Sequence, residues 1–173
     1  MNDEIQNIIS GKSQVRHGTN IKAVADYIRT GEKSSALDKS DKHFKREETE
    51  RLIKYIENQH LWIENIDLNS FVSEGAEQKV YLKDNRSVIK LNDAIYYSSW
   101  FDYFVNLLLN NYFSPDTAYN LLGFFENNSI LYAVVEQHFV KATEKTDLSH
   151  VEEFTCTVSK HTYEVKWFSK NSQ

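Results

Sequence analysis

The chain has 173 residues, 40% of them hydrophobic and 26% charged, which is enough for one folded domain and too apolar for a disordered one. A net charge of −5 argues against a broad nucleic-acid-binding surface, and a single cysteine excludes an internal disulfide framework. No apolar run reaches the ~18 residues that span a bilayer. The opening Met-Asn-Asp-Glu-Ile has no basic, apolar leader, so a soluble cytoplasmic protein away from membranes is expected.

Residues 1–19 are polar and read as a frayed segment. Ser10-Gly11-Lys12-Ser13 matches the end of a phosphate-binding P-loop, but Gln6 stands where its first glycine belongs and no apolar strand precedes it. Ile21, Val24, Ala25 and Ile28 have helical spacing, which predicts a helix over 20–30 capped by Asn20 and ended by Gly31. Residues 31–43 read as loop. A second helix is predicted over 44–60, with Phe44, Leu52, Ile53 and Ile56 as its buried stripe. Its Glu47–Arg51 and Glu50–Lys54 pairs read as a solvated face.

The strand-rich part begins near Trp62. Three strands are predicted over 70–74, 78–83 and 86–91, with a glycine turn at Gly75 and a hairpin turn at Asp84-Asn85. Tyr96 to Phe113 is apolar on more than one side and predicts a largely buried helix, stopped by Pro115. Strands over 119–126 and 130–137 follow, joined at Asn127-Asn128-Ser129. A short helix over 146–158 is expected, and 163–168 is either a strand or part of a tail.

Several constellations carry no chemistry. His17, His43, His60, His138, His150 and His161 show no metal-ligand spacing and there is no cysteine pair, so no metal site is expected. Cys156 with His161 reads as an inert thiol beside an unrelated histidine.

The chemically pointed feature is the run from Phe71 to Leu91. A glycine turn at Gly75 over a strand lysine, Lys90, is how protein kinases hold the phosphates of ATP. Three strands, a helix and two strands is also the order of a kinase N-terminal lobe.

Ser-Glu-Gly-Ala-Glu-Gln-Lys-Val-Tyr (73–81), Ser-Val-Ile-Lys-Leu-Asn-Asp-Ala-Ile-Tyr-Tyr (87–97) and Ile-Leu-Tyr-Ala-Val-Val-Glu-Gln (130–137) resemble the serine/threonine/tyrosine kinase domain of polyvalent proteins, which are carried by phages and conjugative elements of Bacteroidetes. The resemblance covers about residues 44–154. It implies an α+β fold with a kinase-like N-lobe, a five-stranded antiparallel sheet packed on one long helix. With the helices read from spacing, the expected organisation is a two-helix N-terminal extension over 1–60, the lobe itself over 61–145, and a short helix and irregular, truncated tail over 146–173. Gly75 becomes the phosphate-loop glycine and Lys90 the lysine facing the α- and β-phosphates. Glu136, Gln137 and His138 become the hinge against the adenine, with Val135 lining the pocket before it. The expected acidic partner of Lys90 is Asp102, with Asp93 as competitor. ATP and Mg are the implied cofactors.

Relatives continue into a C-terminal lobe with an Asp-Leu-His-Asp-Glu-Asn-like segment and a later metal-binding Asp. Here Phe154 is followed by Thr-Cys-Thr-Val-Ser-Lys-His-Thr-Tyr, and no catalytic residue can be assigned. The expectation is a pseudokinase-like half, inactive alone, that acts through a residual nucleotide pocket or protein contacts. Alternatives are a purely regulatory interaction module or a kinase completed in trans. An exposed hinge and the aromatic run 96–104 would make a protein partner or self-association the natural consequence.

Overall fold

The computed structural model describes residues 2–15, 18–32 and 41–139. The helix expected over 146–158, the segment 163–168 and the Cys156–His161 pair lie outside the described residues.

Three helices precede the sheet. The first, α1 (Asn2–Ile9), forms where a frayed segment is expected. Ile5, Ile8 and Ile9 share one face, and Ile8 is buried in the main core, so apolar burial outweighs the polarity of the rest. Gly11, at φ +73°, then closes the helix: its N–H donates to the Ile8 carbonyl and the Lys12 N–H to the Asn7 carbonyl. That is a Schellman cap, which accounts for the P-loop-like Ser10-Gly11-Lys12-Ser13 without a ligand.

Helix α2 (Thr19–Glu32) buries Ile21, Val24, Ala25 and Ile28, the predicted stripe. It runs on through Gly31. Asn20 is not its cap; the side-chain amide instead donates to the Leu121 carbonyl at 3.3 Å, tying α2 to the sheet. Helix α3 (Asp41–Asn58) buries Leu52 and Ile56, with Ile53 partly covered.

The sheet comprises β1 (Phe71–Glu74), β2 (Lys79–Leu82), β3 (Ser87–Asn92), β4 (Tyr119–Asn127) and β5 (Ile130–His138), ordered β1-β2-β3-β5-β4 and antiparallel throughout. Helix α4 (Trp100–Phe113) connects β3 to β4 and stops before Pro115. The Asp84 carboxylate accepts the Arg86 and Ser87 N–H groups and shapes the β2–β3 turn. Asn128 and Ser129 both take positive φ, the two-residue turn whose twist suits a hairpin.

One core cluster joins Ile8, Val24, Leu52 and Ile56 of the first three helices to Trp100, Phe104 and Leu108 of α4 and to Leu121, Phe124, Ala133 and Val135 of the sheet. The boundary expected at residue 60 therefore crosses a shared interior. A second cluster, with Tyr81, Leu91, Tyr132 and Val134, lies on the opposite face of the sheet. Gly123 makes the junction between α3 and the sheet possible. Its φ is +155°, and an added Cβ would lie 2.4 Å from the Leu61 carbonyl oxygen. With no side chain there, Leu61 and Ile63 exchange hydrogen bonds with Phe124 and Trp62 pairs with β4 in parallel. No helix among the described residues is long and apolar enough to cross a membrane.

Candidate nucleotide site

Strand periodicity sorts the expected site residues by face. Lys90 lies in register with Val80 on one side and Val135 on the other, and Val88 with Gln137. Val135 belongs to the core shared with α4, so Lys90, Val135 and Gln137 share the α4 side of the sheet. Glu136 and His138 alternate to the other face. There Glu136 pairs with Lys83 at 2.8 Å, and His138 Nδ1 lies 2.9 Å from the Ser87 hydroxyl.

Lys90 is half-buried, and among the described residues no carboxylate forms an ion pair with it. Its ammonium instead sits 5.2 Å from the centre of the Tyr119 ring. Such a contact is worth ~0.5–2 kcal/mol, less than a matched anion within a dry pocket would give. Burial pushes the ammonium below the usual lysine range, so the site holds a cation that is only partly compensated.

The surroundings are phenolic. Burial raises the Tyr119 phenol, a hydrogen bond with the Gln137 amide works against that rise, and the Glu77 charge adds to it. The Gln137 amide also donates to the Thr117 carbonyl at 2.7 Å. Tyr103 is buried in α4 with its ring edge-on to Tyr97 at 5.2 Å, and burial pushes its phenol far above the usual range. The Tyr97 hydroxyl donates to Glu77 at 3.3 Å, linking the segment before α4 to the glycine turn.

Asp102 and Asp93 do not meet Lys90. Asp102 is exposed in the first turn of α4, where its N–H donates to the Ser99 hydroxyl and its charge suits the helix N-terminus. Asp93 accepts the Ile95 N–H and closes a turn. Gly75 is exposed at the β1–β2 turn, and nothing lies within 4 Å of where its Cβ would be. A depression of about 170 Å³ beneath that turn is lined by Glu74 to Lys79, Leu91, Asp93 and Tyr132. Another, of about 190 Å³, lies between Pro115, Asp116, Asn120, Glu136 and His138. Both are below the ~300 Å³ at which ligand pockets begin, and Lys90 lines neither. The apolar groove of about 280 Å³ over Ile63, Ile89 and Val134 is on the other face, and its ammonium, Lys83, is already paired with Glu136.

Sequence reasoning missed three residues that hold the segments flanking Lys90. Asn111, buried in α4, grips the backbone of Tyr119. Glu48, fully buried, accepts the N–H groups of Trp100 at 2.6 Å and Phe101 at 3.0 Å. Lys45 donates to the carbonyls of Ala94 and Tyr97. One signal was available: Glu48 is four residues before Leu52 and eight before Ile56, on the apolar stripe of α3.

No curated protein and no solved structure matches the chain. The family model for the serine/threonine/tyrosine kinase found in polyvalent proteins matches residues 45–173, well over half of it, beginning at Lys45 within α3. With a five-stranded antiparallel sheet, one helix between its third and fourth strands and a lysine on the helix side of β3, the chain belongs to the serine/threonine/tyrosine kinase family of polyvalent proteins.

Proposed function

We propose that this chain holds the phosphates of ATP through Lys90 on the α4 side of the sheet, with Gly75 at the β1–β2 turn closing over them, with Val135 and the backbone of Glu136 to His138 against the adenine, and that these residues alone do not transfer a phosphoryl group. The observation that carries the reading is the half-buried Lys90 ammonium with no carboxylate partner among the described residues. Anionic oxygens would complete what Tyr119 only partly supplies. The residues around Lys90 fit a nucleotide phosphate better than they fit a metal. Among the described residues no three His, Cys, Asp or Glu side chains are grouped to hold an ion. Phosphoryl transfer depends on metal-held charge neutralisation and a positioned base. The 173 residues contain no Asp-Leu-His-Asp-Glu-Asn-like segment to supply either. The setting we infer is the cytoplasm of a cell carrying a mobile element.

Calorimetric titration with Mg-ATP tests the reading. An open half-site should bind at about 0.1–1 mM, or roughly −4 to −5.5 kcal/mol. Lys90→Ala should abolish the heat. Binding unchanged in Lys90→Ala, or no binding by the intact chain, would overturn the assignment.

A second reading is that the chain works through protein contact, whether as a regulatory module or as a kinase half completed by another chain. Ile95 and Tyr96 favour it: they stand 67% and 63% exposed on the segment before α4, where bare apolar surface invites a partner. Light scattering separates the cases. A mass that rises with concentration indicates self-association, and a monomer at high concentration removes that branch.

A further inference from the structure

We propose that α3 is a positioning element for the Lys90 site, with Glu48 as the residue that sets how firmly that site is built. The ligand in this proposal rests on the nucleotide reading above; the coupling rests on contacts within the chain.

A helix begins with N–H groups that have no partner inside the helix. In α4 those of Trp100 and Phe101 go to the two carboxylate oxygens of Glu48, and that of Asp102 to the Ser99 hydroxyl. The helix is thus capped partly by itself and partly by α3. Glu48 is fully buried, and a carboxylate so placed needs those donors. Thr49 adds a third tie by accepting from the Trp100 indole at 3.0 Å.

Two routes lead from this clamp to the site. Along α4, Asn111 holds the N–H and carbonyl of Tyr119, whose ring lies against the Lys90 ammonium. Through the preceding segment, Lys45 holds the Tyr97 carbonyl at 2.9 Å, and the Tyr97 hydroxyl reaches Glu77 beside the glycine turn. Both ends of the phosphate site therefore depend on α3. Loosening the clamp should free Tyr119 and Tyr97 together.

The test uses the full chain, Glu48→Gln and Lys45→Met. Glutamine keeps the volume but offers one oxygen acceptor where the carboxylate has two. Three readings are taken on protein whose circular dichroism matches the parent. They are amide exchange at Trp100 and Phe101 against Val134, trace acetylation of Lys90 against exposed Lys54, and Mg-ATP affinity. In Glu48→Gln, roughly tenfold faster exchange at the two amides is expected, with Lys90 acetylation rising severalfold and affinity falling about five- to tenfold. Lys45→Met should move Lys90 acetylation and affinity the same way, which keeps the test alive if Glu48→Gln does not fold. Faster exchange with Lys90 reactivity and affinity unchanged would show a merely structural cap and overturn the proposal. If the parent takes up no nucleotide, the functional reading falls and Lys90 acetylation alone decides the positioning role. A severalfold rise supports it and no change ends it.

Discussion

Asn111 grips Tyr119 by both of its backbone polar groups: the side-chain amide donates to the Tyr119 carbonyl at 2.8 Å and accepts its N–H at 2.7 Å. Asn111 is 1% exposed, so water is poorly placed to replace either bond. Asn111→Ala should cost about 2–4 kcal/mol of stability, the sum of two lost bonds and the buried groups left unpaired. Urea denaturation measures it. A loss below about 1 kcal/mol would mean that the start of β4 relaxes without harm.

Lys90 should make the fold less stable at neutral pH than an uncharged residue would. Its folded-state pKa lies below the usual value, so the unfolded chain binds the proton more tightly. Between the lowered value and about 10.5, stability should therefore rise with pH, and Lys90→Met should remove that rise. The stability difference between parent and Lys90→Met should shrink from pH 7 to pH 10. A difference that stays constant over that interval would show that burial leaves the ammonium unaffected.

Tyr103 sets the alkaline limit. Its folded-state pKa is raised by burial, so the folded form keeps the proton longer than the unfolded form does. That contribution is fully present below about pH 10 and is lost as pH climbs beyond it. Tyr103→Phe should flatten the alkaline decline in thermal midpoint between about pH 10 and 11.5, while changing little at pH 7 beyond the loss of one hydroxyl. An identical decline in the variant would assign it to other groups.

Two glycines should respond differently to substitution. Gly123→Ala meets the Leu61 carbonyl and a positive φ, so it should destabilise by roughly 2–4 kcal/mol. Gly75→Val enters open space and should leave thermal stability nearly unchanged. If the turn covers phosphates, Gly75→Val should weaken Mg-ATP binding severalfold without a folding defect. Calorimetry beside thermal denaturation separates the two effects.

The alternating and helical patterns between Phe71 and His138 were plain in the sequence because each element carries its own period: five strands, one apolar helix and a hairpin turn at Asn128-Ser129. What periodicity does not carry is pairing between distant elements. Asn20 has the chemistry of a cap, yet it bonds to Leu121 a hundred residues on. Glu48 stands on the apolar stripe of α3, but its partners emerge only when α4 is set against it. The short isoleucine stripe of α1 was outweighed by its polar neighbours, because composition averages over faces that folding keeps apart.

That Lys90 lies on β3 was legible from the strand pattern; that no described carboxylate pairs with it was not. A search for an acid on the following helix finds Asp102, which the first turn of α4 holds in solvent. The ring against Lys90 belongs to Tyr119, itself held by Gln137, residue types that sequence reading assigns to core and surface.

Strand β1 is bound to the sheet through β2 alone, and all four of its residues are exposed. A ribbon fastened along a single seam can lift while the layers beneath stay closed. Movement of the Gly75 turn is thereby separated from the integrity of the fold, and the amides of β1 should trade protons with solvent long before those of β3 and β5.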